Sequence, residues 1–245
     1  MIVRVRSLLV GFLVLIFCAN GLAASEIKWD MEAFEPDLTN IPSLQNGFKV
    51  YVNYCLGCHS LKYQRYERTA DDLMIPHDLL ESQLIFANQK KGDLMTTAMD
   101  PIKAKSWFGA PPPDLTMVTR ARDPEWVYNY LKTFYVDDTR PFGVNNKVFE
   151  NVGMPNVLKE LQGVQRLDCG ADVQDCRDLV VDDGTGAYTG TEFDSVIYDL
   201  TNFLHYVGDP SQEERRSIGV WVLAFLAFLG IFTYFLNREY WKDVH

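Results

Sequence analysis

Apolar residues recur at intervals of three and four along residues 44–54, where Leu44, Phe48, Tyr51, Val52 and Cys55 share one face. The same period returns over residues 195–207 with Val196, Leu200, Phe203, Leu204 and Val207. Each pattern predicts a helix with one buried stripe. Gly47 lies inside the first of them and costs about 1 kcal/mol of helix propensity against alanine. It predicts a point at which the second helix crosses closely, so that the two helices close a domain end to end. Residues 218–236 carry no charge and lie between Glu213-Glu214-Arg215-Arg216 and Asn237-Arg238-Glu239. That length fits one transmembrane helix, with Trp221, Tyr234, Tyr240 and Trp241 suited to the interfaces.

Weaker signals fill the interval. Residues 25–41 show no period and predict an extended arm, and 61–73 predict a helical or turn-rich cover. A short helix is expected over 82–87 and a turn at Gln89-Lys90-Lys91-Gly92-Asp93. Gly109-Ala110-Pro111-Pro112-Pro113 is neither helix nor inner strand and must be a loop of fixed shape. Asp114 is placed to cap a helix over 115–121, and Asp123-Pro124-Glu125 to start one over 126–134. Residues 135–147, with Asp137-Asp138, Pro141, Gly143 and Asn145-Asn146, are expected to be irregular. Met95 and Met99, four apart, fit a helix face. The fold class expected is mainly α, one domain with long loops followed by a single C-terminal transmembrane helix.

The N-terminus adds a second apolar run, from residue 8 to 17, behind Arg4 and Arg6 and ahead of Gly21-Leu22-Ala23-Ala24. Its shortness and small-residue end predict a secretory signal, residues 1–24, cut after Ala23 or Ala24. The expected division is then 1–24 signal, 25–212 exported domain, 218–236 membrane helix and 237–245 cytoplasmic tail. The chain has a formal net charge of −10, and removal of residues 1–24 takes away two arginines and no acid. This argues against nucleic acid as a partner. An acidic surface can steer a basic protein towards itself, and solubility through self-repulsion accounts for the same charge.

The chemistry sits in Cys55-Leu56-Gly57-Cys58-His59. C-x-x-C-H is the spacing at which two sulfurs bond the vinyl groups of a haem while the adjacent histidine ligates its iron. A zinc site would need a second ligand pair, and Cys169 and Cys176 have no histidine beside them. A thioredoxin-like pair would follow a strand, whereas this motif follows a helical pattern. The second axial ligand is open among His77, His205, Met74, Met95, Met99, Met117 and Met154. Met154 is favoured because Gly153 and Pro155 flank it in what reads as a rigid loop. With Cys18 removed in the signal and two cysteines on the haem, Cys169 and Cys176 are the pair left to form a disulfide in an oxidising compartment.

Val52-Asn53-Tyr54-Cys55-Leu56-Gly57-Cys58-His59-Ser60-Leu61-Lys62-Tyr63, then Pro112-Pro113-Asp114-Leu115 with Arg120-Ala121-Arg122, then Gly153-Met154-Pro155 and one C-terminal membrane helix occur in the order of the cytochrome c1 family of bacterial cytochrome bc1 complexes, and the mature chain resembles that family throughout. The resemblance implies one covalently bound haem c held by Cys55 and Cys58, with His59 as proximal and Met154 as distal ligand. It implies that Arg122 pairs with a haem propionate, with Arg120 as the rival, and that Trp126 stands where relatives carry tyrosine near that edge. It further implies an electron-transfer subunit of quinol–cytochrome c reductase rather than an enzyme by itself. That subunit is anchored in the inner membrane with its haem domain on the periplasmic side and works beside cytochrome b. It takes one electron from the Rieske iron–sulfur protein and passes it to a soluble or membrane-bound cytochrome c.

Overall fold

The structure is a computed structural model that describes residues 30–86, 88–169 and 178–243. Contacts divide the chain into Met1–Asp30 and Met31–His245. The expected signal segment lies outside the described residues, and the elements below belong to the second unit.

Helix α1, Ile41–Val50, starts where Asn40 accepts a hydrogen bond from the Ser43 amide at 3.2 Å and Pro42 occupies the first turn. It runs on as a π-helical turn, Tyr51–Cys55, so the helix expected over 44–54 is present but its last turn is widened just before the motif. Such turns occur frequently at functional sites. After the motif the chain forms β1 (Leu61–Arg65), α2 (Tyr66–Asp72), α3 (His77–Gln83), β2 (Leu94–Met95) and α4 (Pro101–Phe108). Then follow α5 (Val118–Ala121), α6 (Pro124–Lys132), β3 (Phe134–Val136), β4 (Val144–Asn146) and α7 (Lys159–Gln162). The order ends with β5 (Gln165–Asp168), β6 (Asp178–Val181), α8 (Gly190–Gly208) and α9 (Gln212–Tyr240). Helices dominate, as expected, and among the described residues the strands form three two-stranded antiparallel pairs, β1–β2, β3–β4 and β5–β6.

The close crossing predicted at Gly47 is the centre of the fold. A Cβ on Gly47 would stand 2.0 Å from the Asp199 carbonyl oxygen and 2.6 Å from Phe203 Cβ, both on α8. Phe48 and Phe203 stack beside this point with ring centroids 5.3 Å apart. The Asp199 carboxylate accepts from Ser43 Oγ at 2.6 Å and Asn46 Nδ2 at 2.7 Å, so polar bonds flank the apolar contact. Helix α8 begins with a capping box between Thr189 and Glu192 and buries Phe193, Ile197, Leu200, Phe203, Leu204 and Val207. The non-helical residues before α1 form the expected arm. Asn129 and Asn202 hold its backbone at Glu32 and Asp37, and Phe34 packs between Tyr128 and Tyr198.

Several local expectations are corrected. Residues 61–65 are strand rather than helix or turn, because Leu61 pairs with Met95, a partner far along the chain. Met95 is a fully buried strand residue rather than part of a helix face. The helix expected over 82–87 lies earlier, at α3, where Pro76 precedes its first turn and Leu80 is its buried anchor. Asp114 caps no helix. Its carboxylate accepts from the Thr116 amide at 3.0 Å and the Lys62 amide at 2.8 Å, and α5 starts only at Val118. Asp123 does precede α6, with φ 74° and no side-chain bond to the first turn. Residues 135–147 contain the β3–β4 hairpin, closed by Asp137 and Gly143.

Helix α9 is one continuous helix, longer than its apolar stretch, and among the described residues it is the one long and apolar enough to cross a membrane. No part of its apolar window is buried against the rest of the chain.

Candidate haem site

The π-helical turn delivers Cys55, buried, to the start of a tight turn in which the amides of Cys58 and His59 both donate to the Cys55 carbonyl, at 3.0 and 2.8 Å. This brings the backbone of Cys58 and His59 back to that of Cys55. Tyr51 Oη donates to the His59 carbonyl at 2.7 Å and fixes the far end. Thr97 holds the middle: its hydroxyl donates to the Gly57 carbonyl at 2.8 Å and its amide to Ser60 Oγ at 2.9 Å. Cys55 and Cys58 are the free thiols of the described residues. Burial, with Cys58 adding to it, pushes the Cys55 thiol up to about 12, so the pair lacks the low-pKa thiolate of a redox dithiol.

The proline run explains itself here. Leu115 donates its amide to the Ser60 carbonyl at 2.9 Å, and with the Asp114–Lys62 bond this lays Pro113 against His59. His59 Nδ1 lies 2.7 Å from the Pro113 carbonyl oxygen. A carbonyl only accepts, so Nδ1 carries the proton and the lone pair is left on Nε2. Burial lowers the pKa of His59, against the opposing pull of the Pro113 carbonyl and Asp114, and keeps the ring neutral. A neutral imidazole with its tautomer fixed by a backbone carbonyl is the state in which histidine ligates a metal. The donor set therefore fits a thioether-bound haem: two adjacent free thiols, and an imidazole whose Nε2 is free to ligate.

A second group of side chains lies along α6 and the loop after β4. Tyr130 Oη donates to Met154 Sδ at 3.4 Å. The Tyr130 ring stacks on Trp126, with centroids 5.0 Å apart and planes 9° from parallel. The guanidinium of Arg122 stands 5.2 Å from the centroid of Trp126, a cation–π distance. Arg122, Trp126, Tyr130 and Met154 thus form one line of contacts. Arg120 points elsewhere, bonded to Asp209 at 3.0 Å together with Arg215 at the foot of α9.

The chain leading to Met154 is tied down by side chains that lie earlier in the sequence. Gly153 needs no positive φ, and a Cβ there would meet the Phe108 carbonyl at 3.4 Å, an ordinary contact. Two asparagines do the holding. Asn145 Oδ1 accepts from the Asn151 amide at 2.8 Å. Asn146 Oδ1 accepts from the Val148 and Phe149 amides at 2.9 and 3.0 Å, while its Nδ2 donates to the Tyr130 carbonyl at 2.7 Å. Sequence reasoning placed these asparagines in an irregular segment, and Tyr130 had no signal beyond its spacing of four from Trp126.

The rival ligands sit differently. His77 is on the surface, 2.8 Å from Asp71, and Met74 and Met117 are exposed. His205 lies on α8 with Arg120 and Asp209 as charged neighbours. Cys169 follows directly on β5, and Cys176 lies outside the described residues.

A mainly α unit holding a C-x-x-C-H turn with a tautomer-fixed imidazole, joined to one membrane-length helix, defines a membrane-anchored c-type cytochrome. The chain matches the family described as the Cytochrome C1 family over residues 35–244. It is 48% identical over 237 residues to the cytochrome c1 of Allochromatium vinosum, covering 94% of this chain and 96% of that one. It is 40% identical over 242 residues to a Nitrosomonas europaea chain described as an ammonia monooxygenase gamma subunit, covering 98% and 99%. Against the cytochrome b/c1 of Bradyrhizobium diazoefficiens it is 25% identical over 236 residues, covering 83% of this chain and 33% of that one. The chain belongs to the cytochrome c1 family. It carries one covalently attached haem c and is a redox, electron-transfer subunit, not an enzyme on its own.

Proposed function

We propose that this chain is the haem-bearing subunit of a quinol–cytochrome c reductase, taking one electron from a Rieske iron–sulfur protein and passing it to a soluble or membrane-bound cytochrome c. The observation that carries the proposal is the pair of prepared donors: His59 with its lone pair on Nε2, and Met154 presented beside Tyr130 on an asparagine-held loop. Bound haem supplies a one-electron centre. Cys55 and Cys58 would hold it covalently, and His59 and Met154 would ligate its iron. The Pro113 carbonyl keeps the imidazole oriented, and a Met154 thioether on the iron would bias it towards the ferrous form. Arg122 is the arginine assigned to a propionate, since Arg120 is occupied by Asp209, and Trp126 orients Arg122 through its ring face, having no hydroxyl to offer.

Residues 1–24 are assigned to a cleaved signal, 25–212 to a haem domain on the periplasmic side, 218–236 to an inner-membrane span and 237–245 to a cytoplasmic tail. Cytochrome b is the expected neighbour of that span. The name cytochrome b/c1 borne by the Bradyrhizobium relative, of which this chain matches a third, supports that pairing. The chain should leave native membranes, in mild detergent, together with a b-type cytochrome and an iron–sulfur protein. Recovery alone, or with the subunits of a monooxygenase as the name of the Nitrosomonas relative would suggest, overturns the assignment.

Two further expectations arise here. A stop codon in place of Ser217 keeps Arg215 and its bond to Asp209, so the exported fragment should be soluble and retain haem. Loss of haem from that fragment would make the membrane helix part of the haem fold. Cys169 and Cys176 are assigned a disulfide, because β5 and β6 pair as far as Asp168 opposite Asp178 and return the chain on itself. Closing so short a loop contributes about 2.5 kcal/mol. The Cys169→Ser, Cys176→Ser double variant should load haem but hold Met154 less firmly, with a lower potential. Peptide mapping without reductant that yields two separately alkylated cysteines would remove the bond.

A further inference from the structure

We infer that Tyr130 is a positioning residue for the distal ligand: its phenol donates to the sulfur lone pair of Met154 that the iron does not use, and so sets the strength of the Met154–iron bond and the potential of the centre. The inference rests on the assignment of Met154 as axial ligand.

A thioether sulfur has two lone pairs. Ligation uses one, and the 3.4 Å contact from Tyr130 Oη is directed at the same atom. The hydroxyl has little freedom to leave. The ring is stacked on Trp126 on one side and meets Phe134 edge-on, with centroids 5.2 Å apart, on another. The Tyr130 carbonyl is held by Asn146, whose side chain also anchors the loop leading to Met154. One asparagine therefore fixes donor and acceptor together, and the hydrogen bond is built into the fold. A proton donor on sulfur draws electron density away from it. The ferric iron needs that density more than the ferrous iron does, so the bond favours the reduced state. By the same withdrawal it leaves Met154 more easily displaced from the ferric iron than from the ferrous iron.

Tyr130→Phe keeps the ring and its stacking and removes only the hydroxyl, so the test is made on the full-length, haem-loaded protein. The midpoint potential should fall, by less than in Met154→Leu. The sulfur-to-iron charge-transfer band of the ferric protein should shift while persisting. Imidazole should bind the ferric iron about two- to tenfold less tightly, the equivalent of one net hydrogen bond, because the sulfur regains the density that the phenol withdrew. On a Met154→Leu background the same substitution should change the potential no further. An unchanged potential and unchanged imidazole affinity in Tyr130→Phe, with Met154→Leu strongly altered, overturns the inference and leaves the ligand assignment standing. An equal fall on both backgrounds also overturns it, since the hydroxyl would then act on the haem directly. A Met154→Leu variant with wild-type potential removes the ligand assignment and this inference with it.

Discussion

Met154→Leu should keep its haem, because the attachment proposed for Cys55 and Cys58 does not involve the methionine, and should lose a large part of its potential. Leucine matches methionine roughly in volume and cannot donate to iron, so the loop packing survives while the bias towards the ferrous state does not. Axial ligands set haem potentials over a range of about 0.8 V. The expected fall is on the order of 0.2 V, more than three decades in the ferrous–ferric equilibrium at about 59 mV per decade. The vacated position should bind carbon monoxide in the reduced protein and imidazole in the oxidised one. A redox titration and a carbon monoxide difference spectrum read both. A variant with wild-type potential that rejects carbon monoxide would remove Met154 from the coordination sphere.

The second large effect belongs to the fold. Gly47→Ala places a methyl group 2.0 Å from the Asp199 carbonyl oxygen and 2.6 Å from Phe203 Cβ, and neither can swing aside as a flexible side-chain end could. Helices α1 and α8 must separate. That loosens the Phe48–Phe203 stack and the bonds from Ser43 and Asn46 to Asp199. Overpacking of this kind costs about 3 kcal/mol, against which alanine recovers about 1 kcal/mol of helix propensity. For a domain of this size the melting temperature should drop by roughly 4 to 8 °C. Gly92→Ala, with open space around its Cβ and no positive φ, is the control and should melt within about 2 °C of the parent. Equal melting of Gly47→Ala and the parent would contradict the crossing.

The Gly47 crossing was legible in the sequence because a break in propensity inside a strong helical period has few other uses. Helices α1, α8 and α9 were legible for the related reason that their signals are local and repeated. The three strand pairs were not. Leu61 becomes strand because of Met95, and no window around residues 61–65 contains that partner. In the site, the motif and the proline run could be seen, but the bond between them is a backbone carbonyl meeting a ring nitrogen across the fold. Asn145 and Asn146 read as turn residues, which they are. Their side chains then tie down the Met154 loop, a tertiary role that composition does not distinguish from an ordinary turn. Arg120 bonds Asp209 at the foot of α9, a tertiary contact that the Arg-Ala-Arg run does not display.

The most direct test is rapid reduction of the complex isolated through this chain. On mixing with quinol, the haem c should accept one electron, and added soluble cytochrome c should reoxidise it. The same reduced protein should form no carbon monoxide adduct. A haem c that stays oxidised in the presence of quinol, or that binds carbon monoxide without substitution at Met154, would contradict an electron carrier ligated by His59 and Met154.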